Sequence, residues 1–193
     1  MEKPGQQKQR LWIWWLVLIA LIAFAVLTLL QIDSLRKRAE TYQPGLYSVS
    51  EFIDGDTIAV NMNGQNEIIR MIGVDTPETH RPETPVQCYG ETAADYTKKL
   101  INGNKVRLQA DPINTNRDRY DRLLRYVYLV DGTLLEKKLI SEGYGFAYTQ
   151  FPFQKTDEFR KYETNAKAAH KGLWAACQIT EQPNGIRQTN PAN

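Results

Sequence analysis

A mainly β, α+β domain behind one apolar helix is the fold class that three features of this 193-residue chain predict. Five short stretches have strand-like patterning, three helical stretches are interposed among them, and a twenty-residue uncharged run precedes them all. The order β-β-β-α-β-β-α, then a further helix, suggests a small, partly open Greek-key barrel on the OB-fold plan. A fully open antiparallel sheet backed by helices fits the same order.

The uncharged run is LWIWWLVLIALIAFAVLTLL, residues 11–30. As a helix it is about 30 Å long, the thickness of a bilayer core. Trp12, Trp14 and Trp15 stand at one end, where indoles favour the membrane interface. The run reads as a transmembrane segment between a polar head, 1–10, and a charged linker, 31–44. The alternative is a secretory signal cleaved after Ala25, against which apolar sequence continues through Leu30. Lys3, Lys8 and Arg10 before the run match Arg36, Lys37 and Arg38 after it, so charge does not set the orientation.

The folded domain is expected over 45–177. LYSVSEFI and DTIAVNM flank the Asp54-Gly55 pair, and NGQN is a hairpin turn. EIIRMIGV, 67–74, reads as one strand, and KVRLQA, 105–110, and RLLRYVYLV, 122–130, as two more. Helices are expected at about 91–102, 134–142 and 157–171. Thr133 and Glu136 form a capping box for the second, and Thr156 is the N-cap of the third. The polar, Pro- and Asn-rich stretch 178–193 is expected to be a disordered tail.

Charge does not mark this chain as a bulk nucleic-acid binder. Six of its 24 basic and three of its 22 acidic residues precede residue 45, which leaves 18 against 19 in the rest of the chain. Attraction for an anion must therefore be local. Strand alternation places Arg70 in line with Ile68, Ile72 and Val74, where a guanidinium needs a partner. Arg122 likewise aligns with Leu124, Tyr126 and Tyr128, whereas Arg117 and Arg119 read as a solvated face. Asp56 begins a strand and Asp75 ends one, positions where Asp is disfavoured. Thr76-Pro77 then stops pairing and leaves carbonyl oxygens open. Two carboxylates and a carbonyl are hard ligands suited to Ca²⁺ or Mg²⁺. His80 and His170 are too few and too badly spaced for zinc, and His80 reads as a loop residue. Cys88 and Cys177, both beyond the apolar run, suggest a disulfide in a non-cytosolic domain; two unrelated buried thiols are the other reading.

The segments IDGDT, R…VDTPE and DRYDR, in this order and spacing, resemble the staphylococcal nuclease family. YGETAADYTKKL, DGTLLEKKLISEGYG and KAAHKGLW extend the resemblance over about 46–175. The resemblance implies a five-stranded OB barrel with three helices and Ca²⁺-dependent cleavage of DNA and RNA to products with 3′-phosphates. It also implies roles residue by residue. Asp56 and Asp75 would be calcium ligands through their carboxylates and Thr76 through its carbonyl. Glu78 would be the general base or orient the attacking water, and Arg70 and Arg122 would grip the phosphate. Asp54 would be a neighbour of the ligands. Tyr120 would lie near the bound nucleotide, and Cys88 with Cys177 resembles a disulfide of some relatives. Two departures stand out. Asp121 replaces the family's usual glycine, although alternation points it away from Arg122. YGFAYTQFPF replaces a tyrosine-rich segment, with Tyr148, Phe151 and Phe153 as substitute stacking surfaces.

The expected protein is thus a membrane-anchored, monomeric nuclease facing outward, or a secreted one if the signal is cleaved. The contrasting expectation is a catalytically inactive module of the same fold that tethers nucleic acid or protein at the membrane.

Overall fold

The computed structural model describes residues 4–42, 45–79, 85–103 and 105–192; His80 lies outside them. The chain divides into two units, 1–40 and 41–193. The first is helix α1, Pro4–Tyr42. Within it, Trp14–Ile32 is long and apolar enough to cross a membrane. The expected linker is therefore helical through Tyr42, as is the expected head from Pro4. No Pro or Gly interrupts residues 6–43, so nothing in the sequence stops the helix at the apolar boundary.

The second unit is a closed barrel rather than a partly open one, with strand order β1-β2-β3-β6-β5. Its strands are β1 Leu46–Asp54, β2 Thr57–Met62, β3 Gln65–Met71, β5 Lys105–Gln109 and β6 Leu123–Tyr128. β3 and β6 run parallel and the other pairs antiparallel. Two irregularities in β1, at Val49/Glu51 and Phe52/Asp54, bend it so that its ends reach both β2 and β5. Asn63 and Gly64 carry φ of 54° and 88°, the conformation of a tight hairpin turn. Ile58, Val60, Ile69, Met71, Val106, Leu108 and Val127 fill the interior. Helices α2 Gly90–Ile101, α3 Leu135–Ser141 and α4 Thr156–Ala168 cover it, and α5 Leu173–Ala176 adds a single turn.

EIIRMIGV is not one strand. It breaks at Ile72-Gly73, and β4, Val74–Asp75, leaves the barrel to pair with β7, Phe146–Ala147. The break overturns the alternation argument for Arg70. Ile68 on its face is 42% exposed, whereas Ile69 and Met71 on the other face are in the core. Gly73 makes the break possible: its φ is 74°, and a Cβ there would lie 2.5 Å from Phe153 and 2.9 Å from Phe159. Phe153 is accordingly only 4% exposed, a core residue and not the stacking surface expected for it.

The capping box is also overturned. Glu136 turns inward, fully buried, and accepts the Val127 N–H at 3.0 Å. Thr156 is the first residue of α4 rather than its N-cap, and its hydroxyl donates to the Phe153 carbonyl. The expected disordered tail forms a hairpin of β8, Ile179–Glu181, and β9, Arg187–Thr189. It is held by the Cys88–Cys177 disulfide and by an ion pair of Arg187 with Glu163 at 2.7 Å. Composition misjudged it because these tethers come from distant parts of the chain.

Two predictions follow from this packing. Gly73→Ala is expected to lower the unfolding free energy by about 2–4 kcal/mol, through overpacking and backbone strain together, read from urea denaturation. Burial raises the Glu136 carboxyl well above its ordinary value, against the opposing pull of its backbone hydrogen bonds. The native state therefore favours the protonated form. That contribution is full below the ordinary carboxylate pKa and is lost as pH rises through the raised one. Glu136→Gln should gain stability relative to the parent as pH increases from 5 to 9; a pH-independent difference would contradict this.

Candidate active site

The turn from β1 to β2 places Asp54, Gly55 and Asp56 at one end of the barrel. Asp56 is buried and accepts three contacts. Its Oδ1 takes the Thr57 hydroxyl at 2.9 Å, and its Oδ2 takes the Thr76 N–H at 2.8 Å. The same Oδ2 lies 3.1 Å from Arg70 Nη2, which also donates to Asp75 Oδ1 at 2.8 Å. Arg70 Nη1 donates to the Met71 and Val74 carbonyls at 3.0 and 2.7 Å. One guanidinium, 14% exposed, thereby pins both carboxylates and the corner between β3 and β4.

Gly55 is needed here for close approach. A Cβ on it would lie 2.7 Å from the Thr76 hydroxyl, and its carbonyl accepts the Thr97 hydroxyl of α2 at 2.6 Å. Burial, then the neighbouring charges of Asp56 and Glu78, push the Asp54 carboxyl up to about 8.

Arg122 enters from the loop before β6. Its Nε and Nη2 both lie 2.7 Å from Asp118 Oδ2, while Asp118 Oδ1 takes the N–H groups of Tyr120 and Arg122. Burial opposes ionisation of Asp118, but Arg122 and these amides hold its carboxyl below the ordinary value. Asp121 therefore does not capture Arg122. It adopts φ of 64°, its side chain is 87% exposed, and its partner is Arg117 at 3.6 Å. That left-handed conformation is a physical reason for a glycine at this position, and Asp is among the residues that tolerate it. Tyr120 is exposed, with the Arg119 and Arg122 guanidiniums 4.7 and 5.4 Å from its ring centre.

These groups meet in one cleft of about 960 Å³, lined by Asp54, Asp56, Arg70, Asp75, Glu78 and Arg122 among others. Thr76, Tyr120, Tyr148 and Phe151 line it too. Phe151 is 62% exposed and its ring centre is 6.1 Å from that of Tyr148, so an aromatic surface borders the charged end. Cys88 and Cys177 lie elsewhere, joined as a disulfide across 89 residues. Sequence reasoning missed Asp118, although an acidic residue four positions before an arginine was a readable sign. It also missed Asp111, whose carboxylate takes the Tyr126 hydroxyl at 2.6 Å and the Gln154 N–H at 2.7 Å and braces the Arg122 loop.

The donor set suits a hard cation. Asp56 and Asp75 each place an oxygen within 3.1 Å of a single atom, so their oxygens converge. Among the described residues the Thr76 hydroxyl beside them has no hydrogen-bond partner, although it is buried. Among the described residues no three His, Cys, Asp or Glu side chains cluster for a metal, so any ion here relies on carbonyl and water oxygens as well.

Comparison with known proteins bears on this arrangement. A family model described as "Staphylococcal nuclease homologue" matches residues 68–176. The "Thermonuclease" of Staphylococcus hyicus is 42% identical over 130 residues, 67% of this chain and 75% of that one. That of Staphylococcus intermedius is 43% identical over 130 residues, 66% and 76% of the two chains. "Endonuclease YncB" of Bacillus subtilis is 44% identical over 125 residues, 64% and 58% of the two chains. The family match spans more than half of the chain and includes the barrel corner, the Arg122 loop and the covering helices, so this protein belongs to the staphylococcal nuclease homologue family.

Proposed function

We propose that the domain is a calcium-dependent nuclease that hydrolyses phosphodiester bonds of DNA, RNA or both and leaves 3′-phosphates. The carrying observation is the convergence of Arg70, Arg122, Asp56, Asp75 and Glu78, from separate chain segments, on one cleft. The nuclease names of its relatives support the reading. So does the near-neutral domain charge, since the attraction is concentrated at one spot.

Attack on a phosphodiester builds negative charge on the phosphorus oxygens. Arg122 offers guanidinium N–H groups to those oxygens, and Arg70, whose Nη1 and Nη2 hold two carbonyls and two carboxylates, acts through its positive charge and its Nε–H; both interactions strengthen as the charge develops. Glu78 orients the attacking water or accepts its proton, with Asp54 in the same cleft. Asp56, Asp75 and the Thr76 carbonyl are the groups that would hold calcium, which when bound supplies further positive charge at the phosphate. Tyr120 and Tyr148 serve the nucleotide, Tyr148 beside Phe151 as a stacking surface. A phosphate clamp that reads no sugar accepts either nucleic acid.

In this reading α1 anchors a single chain with the domain outside the cytoplasm, a reading that the Cys88–Cys177 bridge supports. If the signal is instead cleaved after Ala25, the mature protein begins at Val26, which mass spectrometry of its N-terminus decides.

Labelled DNA and RNA incubated with the full chain should be cut with Ca²⁺ and spared with EGTA. Arg70→Ala and Arg122→Ala should each lower kcat about 10²–10³-fold, and Glu78→Gln about 10²–10⁴-fold. No cleavage by the parent would rule the reading out and favour the inactive tethering module, and full activity in all three variants would overturn the roles given to Arg70, Glu78 and Arg122. Tyr148→Ala should raise KM about 5–100-fold with little change in kcat, the signature of lost base stacking.

A further inference from the structure

The end of the chain reaches back to the segment that carries Glu78. Residues 86–88 and 190–192 run antiparallel, with Gln87 opposite Pro191. Cys88 N–H donates to the Asn190 carbonyl at 2.7 Å and Ala192 N–H to the Val86 carbonyl at 2.8 Å. The Thr189 hydroxyl donates to the Cys88 carbonyl at 2.8 Å, and the Cys88–Cys177 disulfide ties the same place covalently. Asn190 is fixed in turn, since its N–H donates to the Gln178 carbonyl and its side chain accepts the Gln178 N–H.

Gln87 also holds Glu78. Its N–H donates to the Glu78 carbonyl at 2.9 Å, and its Oε1 accepts the Glu78 N–H at 2.9 Å. Gly90 closes the arrangement, for a Cβ there would lie 2.8 Å from the Glu78 carbonyl oxygen. The backbone of Glu78 is thus gripped by a residue whose other edge is paired with the C-terminal segment. That segment lies beyond the family match, which ends at 176.

We propose that Gln87 is a positioning residue for Glu78, and that residues 177–192, cross-linked through Cys88, are the brace that keeps Gln87 in place. The inference rests on the nuclease reading for its catalytic consequence but not for its structural part. A shift of about 1 Å at a reacting group costs on the order of 10²-fold in rate. The needed feature of Gln87 is an acceptor oxygen at the reach of its side chain, which Glu retains and Ala lacks.

The test uses the full chain with Ca²⁺ and labelled single-stranded DNA, beside amide hydrogen exchange. Gln87→Ala should lower kcat about 10–100-fold at unchanged KM, and Gln87→Glu should recover most of it. Reducing the disulfide with dithiothreitol should lower kcat in the parent and speed exchange at Glu78 and Gln87, while core amides such as Ile69 stay protected. Parent-like kcat in Gln87→Ala, a change in KM alone, or unaltered exchange at Glu78 on reduction would overturn the inference. If the parent itself does not cut, the nuclease reading falls, and the exchange measurement still decides whether the brace exists.

Discussion

Arg70 Nη2 lies between Asp56 and Asp75, at 3.1 and 2.8 Å, and the cleft is organised around that contact. The carboxylates belong to the β1–β2 turn and to β4, which lies in a separate sheet. Their mutual repulsion would push the two apart without a cation between them. The guanidinium supplies that charge and also takes the Met71 and Val74 carbonyls left unpaired where β3 ends. Removing it would strand two carboxylates, one of them buried, and free the corner that carries Thr76 and Glu78.

That corner exists because the barrel lets it form. Gly73 permits the sharp exit of β4, and the space a side chain would need is filled by Phe153 and Phe159 from the outer layer. Core packing and site geometry are therefore one structure here: the aromatic residues that seal the barrel also aim Asp75. On the opposite wall Asp118 orients Arg122, and Asp111 secures the loop behind it through Tyr126 and Gln154. Each of the two arginines of the cleft thus has carboxylate partners of its own. Such pairing fixes a long, flexible side chain in one geometry at the expense of some of its free charge.

The candidate site residues stood out in the sequence because they are out of place for their local structure. Aspartates at strand ends and arginines beside apolar runs contradict local preference, and their order along the chain matched a family. Asp118 was legible in principle from its spacing to Arg122. Gln87 was not, because a glutamine in a loop has no local signature and its role depends on Glu78 and Pro191, nine and 104 residues away. Arg70 sits in a setting that differs from the one strand alternation implies. Its supposed row of apolar neighbours is broken by Gly73, and its true partners are two carboxylates.

What the amino-acid sequence determined by itself was the local inventory: the apolar helix, the barrel strands, the turn at Asn63-Gly64 and the identity of the charged groups. These follow from periodicity, turn chemistry and side-chain type, all carried by neighbours in the chain. Tertiary structure alone decided that the barrel closes, that Glu136 points inward, that Asp121 leaves Arg122 to Asp118, and that the polar C-terminus folds back as a hairpin. Each of these depends on a partner distant in sequence or on a backbone angle set by surrounding packing, and neither is encoded in any short window of residues.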